Sequence, residues 1–347
     1  MLGHVLKTLL VLCVVMIASR GWSQALSPPA EALLRRGLQA QEKGDFEAAV
    51  QALEEADHAA PNQLSIQRPL LFAYLQAGKI PQAAQLGEAA AARWPRDAEV
   101  RHGLGLAYFK SGRNEEAKGE LAQAVKLAPA SFAPHFDLAL VLLTLQDYPS
   151  AGRELESAVK IDPKDALAHI LLGRAYQNTN RSEDAVHQFQ TALRLDPNVQ
   201  LGHYHLAFAY ESLGHVDQAL REYEAEVSMN PDNALVRYHY GHCLLDSGDW
   251  KGSIPQLQRA TELDGRNGNA FYELGKAQLA GGDTEKAMPA LRAAIQLNPA
   301  DPSPHYLLAR ALEKTGQKTE AQAEWARFAE LKQAQPVTGG MATGRPQ

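Results

Sequence analysis

An all-α fold, a solenoid of nine helical hairpins of 34 residues each, is predicted by three recurring columns in the sequence. Proline stands at Pro61, Pro95, Pro129, Pro163, Pro197, Pro231 and Pro299, and Gly265 fills the missing step of the same period. With that proline counted as position 32, position 8 is small in every repeat but one, from Gly37 through Gly105, Ala139, Gly173, Ala207, Gly241 and Gly275 to Ala309. Position 20 is alanine from Ala49 to Ala321, with Ser253 as the one exception. Glycine occupies position 15 seven times, at Gly44, Gly78, Gly112, Gly214, Gly248, Gly282 and Gly316. A fixed period without insertions marks an array whose units pack only on their neighbours.

Each hairpin follows from this register. The repeats run 30–63, 64–97, 98–131, 132–165, 166–199, 200–233, 234–267, 268–301 and 302–335, within an array spanning 26–335. Positions 4, 7, 8 and 11 share one face of a first helix, and positions 20, 24 and 27 one face of a second. Small residues at 8 and 20 let the two axes approach, because a longer side chain would force them apart. Glycine at 15 stops the first helix. Proline at 32 ends the second and turns the chain into the next unit. Eighteen antiparallel helices are expected.

Two places break the pattern. In the second repeat Leu71 replaces the small residue, and Pro69 deletes a backbone hydrogen bond within the first helix. A delayed helix start or a local kink is expected there, carrying Arg68 and Phe72 with it. Glu226 occupies position 27, which is otherwise alanine except for Phe328. A carboxylate at a packing position needs a partner, and an ion pair with Arg237 or a nearby histidine is expected.

The ends read differently. Residues 1–25 have the features of a secretory signal: Lys7, an apolar run from Thr8 to Ala18, and a small-x-small site at Ser23-Gln24-Ala25. Retention as a membrane anchor is the alternative. Leu12 before Cys13 does not suit lipidation. Cleavage would remove Lys7 and Arg20 from the 34 basic residues, leaving 32 against 40 acidic ones and Cys243 without a partner. Residues 336–347 form a Gly/Pro-containing tail, expected to be disordered. The net charge of −6, without a basic stripe, argues against nucleic acid. Trp325 and Phe328, on the last helix of the array, are expected to be partly exposed.

These columns resemble the tetratricopeptide repeat family, whose pattern carries Leu-Gly, Tyr, Ala, an aromatic residue and Pro at set places. The best match is Ala166 to Val199, with Leu172-Gly173, Tyr176, Ala185, Phe189, Ala192 and Pro197. The resemblance covers almost all of the chain after residue 25. It implies a right-handed superhelix whose concave groove is lined by the first helix of each hairpin, chiefly at positions 2, 5, 9, 12 and 13. Tyr204, Tyr238, Tyr272 and Tyr306 at position 5, with Arg174, Phe208, His242, Lys276 and Arg310 at position 9, are then the candidate partner-binding residues. Tyrosine suits an interface through its large face and low rotamer entropy. It is also common at this position in the family, so consensus filling is the competing explanation. Tyr74, Tyr108, Tyr176 and Tyr210, at position 11, are assigned to the core.

The resemblance implies a non-catalytic protein–protein interaction scaffold that binds an extended peptide or a helix. The signal-like segment suggests a secreted, periplasmic or envelope location, in assembly or secretion. Arg174, Lys276 and Arg310 would pair with acidic groups of the partner. The alternative is a guide for a polysaccharide or other polymer during export. A weaker third possibility is metal-dependent activity at His205, His239 and His242. The family's Lys/Asn clamp for acidic C-terminal peptides is absent. No enzyme motif, cofactor or firm metal site is indicated. His135, His169, His203 and His305 share position 4 and are expected to be structural, and Cys243 to be a buried thiol.

Overall fold

The computed structural model describes residues 26–334. The export-type segment at 1–25, Cys13 and the tail at 336–347 therefore lie outside the described residues. Eighteen α-helices and no strand occur among the described residues. They fall into two compact units, divided after Ala175.

The first unit contains α1 (Pro28–Glu42), α2 (Phe46–Ala59), α3 (Leu64–Gln76), α4 (Ile80–Arg93), α5 (Ala98–Lys110), α6 (Asn114–Leu127), α7 (Phe132–Thr144), α8 (Tyr148–Ile161) and most of α9 (Ala166–Gln177). The second contains α10 (Ser182–Leu195), α11 (Gly202–Ser212), α12 (Val216–Met229), α13 (Ala234–Asp246), α14 (Trp250–Leu263), α15 (Gly268–Ala280), α16 (Thr284–Leu297), α17 (Pro302–Lys314) and α18 (Lys318–Ala334). These are the expected first and second helices in order. Several start on a side chain that accepts an orphan backbone N–H. Asp97, Asn233 and Asn267 do so for first helices, and Asp45, Asp147, Asp249 and Asp283 for second helices.

Position 15 is left-handed in all nine repeats. The seven glycines have φ between 73° and 91°, and Gln146 (φ 60°) and Asn180 (φ 59°) complete the column. Asparagine tolerates this region, whereas glutamine bears the full steric cost of its Cβ. Replacing Gln146 with glycine is expected to stabilise the first unit by about 0.5–1 kcal/mol. A denaturant midpoint that stays level or falls would refute this.

Between the helices of a hairpin, glycine at position 8 meets leucine at position 24. A Cβ added at Gly37, Gly105, Gly241 or Gly275 would lie 2.5–2.7 Å from Cγ of Leu53, Leu121, Leu257 or Leu291 respectively. The second repeat reverses the pair: Leu71 stands at position 8 and Gly87 at position 24. Leu71 is completely buried, and its side chain occupies the space that a Cβ on Gly103 of the next repeat would need, 2.6 Å away. The irregularity at Leu71 is thus an exchange of large and small residues.

Pro69 does not delay its helix. α3 begins at Leu64, the same repeat position at which α5 begins. Pro69 is the sixth residue of α3, as Pro255 is of α14 and Pro289 of α16. In each case the carbonyl left unpaired, on Ser65, Lys251 or Glu285, belongs to an exposed residue that water can reach.

The delayed start occurs in repeat six instead. α11 begins at Gly202, and the preceding Leu201 is left-handed, with φ 56°. In this repeat Val199 stands at position 34, where Asp97, Asp165, Asn233, Asn267 and Asp301 supply capping oxygens, so the chain offers no capping side chain there. Glu226 compensates from α12. It is 1% exposed, and its Oε2 accepts from the Tyr204 backbone N–H at 3.1 Å while its Oε1 accepts from Asn230 Nδ2 at 2.7 Å. The expected ion pair with Arg237 is therefore not formed; Arg237 bonds to the Pro231 carbonyl and to Gln256. Glu226 instead caps a helix whose own sequence lacks a capping oxygen.

Candidate interaction surface

Polar side chains first fix the hairpins that carry the surface. Position 4 is a clip between loop and hairpin. His135, His203 and His305 each place Nδ1 2.6 Å from the glutamate at position 23, namely Glu154, Glu222 and Glu324. Arg101 reaches Glu120 in the same way. Arg101, His135, His169 and Arg237 also contact the carbonyl of the proline six residues before them. The position-4 histidines are structural, as expected. At position 11 the rings of Tyr74, Tyr108, Tyr176 and Tyr210 are buried. The hydroxyls of Tyr74 and Tyr108 donate to Glu54 and Glu88 of the preceding repeat.

The candidate residues of the second unit lie on its first helices, and their surroundings differ. Tyr204 is only 9% exposed, and its ring packs among Phe208, Tyr223, His205 and His239. It belongs to the core of repeat six, leaving little surface for a partner. Phe208 (36% exposed) and Tyr306 (37%) are open, and Tyr238 and Tyr272 are half-buried. Burial raises the phenol pKa of both Tyr238 and Tyr272. Arg310 lies 5.7 Å from the Tyr306 ring and pairs with no carboxylate among the described residues. Tyr306 also meets Trp325 and Phe328, with ring centres 5.4–6.0 Å apart across the trio. Both α18 aromatics are partly exposed, as anticipated. Arg174 is exposed on α9 and belongs to the first unit.

Lys276 is not a free cation. Its ammonium lies 3.1 Å from Glu273 Oε2 and 3.4 Å from Asp246 Oδ1. His242 completes the ring, with Nδ1 3.5 Å from Glu273 Oε1 and Nε2 3.4 Å from Asp246 Oδ2. Of the positive groups expected to meet an acidic partner, Lys276 is thus balanced within the chain. Glu273 was missed in the sequence, although its spacing of three from Lys276 on one helix was visible there. Burial pushes the Glu273 carboxyl upward, but His242 and Lys276 outweigh that and hold its pKa below the ordinary value.

The histidines thought capable of metal binding do not converge. The His205 ring stacks on Phe189 at 5.5 Å, and His239 is enclosed by Tyr204, Phe208 and Tyr238. Among the described residues no group of three or more His, Cys, Asp or Glu is placed to hold a metal ion. Cys243 is a buried thiol whose pKa is pushed up to about 12, mainly by burial. Among the described residues no helix is long and apolar enough to cross a membrane.

Burial, with help from His242, lowers the His239 pKa from 6.5 to about 4, whereas the Glu273 carboxylate raises that of His242 above 6.5. The signs are opposite. Neutral, buried His239 contributes stability that is complete above pH 6.5 and lost as pH falls toward about 4. The contribution of His242 is complete below pH 6.5 and lost as pH rises through its folded-state pKa. His239→Phe should therefore flatten the decline in stability between about pH 6.5 and 4. An unchanged acid limb would sink that assignment.

Models of the tetratricopeptide repeat family match residues 31–62, 74–139, 142–207, 204–268, 244–302 and 278–336. No curated protein matches the chain. Among solved structures, pilF of Pseudomonas aeruginosa is 20% identical with a TM-score of 0.54, over 61% of this chain and 97% of that one. The APC/C hetero-tetramer Cut9–Hcn1 contains a chain 15% identical with a TM-score of 0.54, over 84% of this chain and 57% of that one. YrrB, described as a TPR protein with an unusual peptide-binding site, is 23% identical with a TM-score of 0.47, over 54% of this chain and 96% of its own. At these identities the likeness is one of fold. The family matches extend over well more than half of the sequence, in the same array of paired helices, and the chain belongs to the tetratricopeptide repeat family.

Proposed function

We propose that the protein is a non-catalytic scaffold of the cell envelope that holds an extended peptide against the first helices of its second unit. The observation that carries this reading is the run of accessible rings Phe208, Tyr238, Tyr272 and Tyr306 on α11, α13, α15 and α17, with Arg310 beside the last. Aromatic faces with polar tips give contact area at low entropic cost. Because Lys276 is balanced by Asp246 and Glu273, the partner is held first by aromatic contact and only secondarily by charge. The envelope assignment rests on Lys7, the apolar run to Ala18 and Ser23-Gln24-Ala25.

A photo-crosslinking residue placed at Tyr272 or Tyr306 should capture a discrete polypeptide in native envelopes. The same residue at exposed Gln258 on α14 should capture none. Tyr238→Ala with Tyr272→Ala should weaken capture at Tyr306 by about tenfold or more, measured at a temperature where the variant is folded, because both half-buried rings also pack against the core. Equal capture from Tyr272 and Gln258 would overturn the proposal, and capture of glycan instead of polypeptide would replace it with the polymer-guide reading.

A further inference from the structure

The loop between α14 and α15 differs from every other inter-repeat loop in two ways. It has Gly265 in place of the proline that stiffens the others, and its capping residue Asn267 is followed directly by Gly268. Asn-Gly occurs once in the 347-residue chain. Asp264, Gly265 and Arg266 are exposed, and Asn267 and Gly268 are half-buried. Gly265 is free of the fixed φ that proline would impose, and Gly268 adds no Cβ to hinder the approach of its own nitrogen to the Asn267 side chain.

We propose that Asn267–Gly268 is a site of self-modification, at which Asn267 converts to aspartate and isoaspartate without an enzyme. The backbone nitrogen of Gly268, after losing its proton to base, attacks Cγ of Asn267. The bond from Cγ to the side-chain nitrogen breaks, and ammonia leaves with the proton returned to it. Water then adds to either carbonyl of the cyclic imide. One opening gives aspartate and the other isoaspartate. The overall change is asparagine plus water to a carboxylic acid plus ammonia, and no other reactant is required.

The folded loop restrains this reaction without preventing it. Asn267 Oδ1 accepts from the Ala270 N–H at 3.1 Å, and the Gly268 N–H donates to the Arg266 carbonyl at 3.1 Å. Attack requires that cap to open, which slows the reaction about 2- to 30-fold relative to an unfolded peptide. The two products act differently on the joint between repeats seven and eight. Aspartate at an N-cap keeps the capping oxygen and places an anion at a helix N-terminus, where it is favoured. Isoaspartate routes the backbone through the former side chain, removes the cap and lengthens the chain where α15 must dock on α14. The joint carries Tyr272 and Glu273 in the second turn of α15.

The test uses the full-length protein held at about pH 8 and 37 °C for several weeks, conditions chosen to favour the base-promoted attack. Cleavage after glutamate releases Leu263–Glu273, which contains Asn267 and, as an internal control, Asn269 followed by Ala270. Mass spectrometry should show conversion at Asn267 at least tenfold faster than at Asn269, divided between aspartate and isoaspartate. Gly268→Ala should slow conversion at Asn267 about tenfold or more. Asn267→Asp should melt with the fresh protein, whereas the isoaspartate fraction of aged protein should show faster amide exchange in the first turn of α15. Equal rates at Asn267 and Asn269, or no slowing in the Gly268→Ala variant, would overturn the proposal. An unfolded Gly268→Ala variant would leave the comparison of the two asparagines in the unmodified chain as the deciding measurement.

Discussion

Leu71→Ala should destabilise the first unit by about 2–5 kcal/mol, the range for truncating a buried leucine that leaves a cavity. Leu71 is fully buried, and a Cβ on Gly103 of the next repeat would lie 2.6 Å from it, while Gly87 holds the position on its own second helix where neighbouring repeats carry leucine. Gly87→Leu alone should cost about 1–3 kcal/mol by overpacking, because a Cβ there would lie 3.0 Å from Leu104 Cδ1 and 3.3 Å from its Cα. The two changes together recreate the arrangement of neighbouring repeats, small at position 8 and leucine at position 24. They should therefore be less damaging than the sum of the single changes, by about 1–3 kcal/mol. Chemical unfolding of the four proteins completes the cycle. Strict additivity would show that Leu71 and Gly87 do not share one packing site.

This pair marks a boundary of what the sequence discloses. A period of 34 and the columns of glycine, alanine and proline specify where helices stop and how closely they approach, so all eighteen could be placed in advance. Columns are averages, however, and a departure from one column is interpretable only beside a departure in another. Leu71 is an intruder in its own column, but it fits beside Gly103 of the next repeat and is matched by Gly87 in the facing column. Pro69 removes a backbone hydrogen bond, yet the carbonyl it frees belongs to Ser65, an exposed residue, and the helix runs on. At the surface, position 5 placed four tyrosines in register but could not reveal that Tyr204 is enclosed by Tyr223, Phe208 and two histidines. Lys276 was legible as a cation, whereas its neutralisation depends on Asp246 one repeat earlier. Exposure and charge balance are properties of neighbours across repeats, and a single column does not contain them.

Glu226→Ala should lower the stability of the second unit by about 1–3 kcal/mol, although alanine is the residue that most other repeats carry there. The substitution takes the acceptors from the Tyr204 N–H and from Asn230 Nδ2. The first of these is an orphan donor in the first turn of α11, at a site where the chain supplies no capping side chain of its own. It also removes a negative charge from the positive end of that helix. Glu226→Gln should cost less, since one amide oxygen can still accept from Tyr204. Val199 in the capping column gives a sharper test. Val199→Asp should allow α11 to begin two residues earlier, in step with α13 and α15, and should make the loss of Glu226 nearly harmless. Circular dichroism and unfolding midpoints of Glu226→Ala with and without Val199→Asp distinguish the explanations. If the aspartate gives no protection, Glu226 acts through something other than the missing cap. If Glu226→Ala alone matches the unmodified protein, the buried carboxylate is not a cap at all.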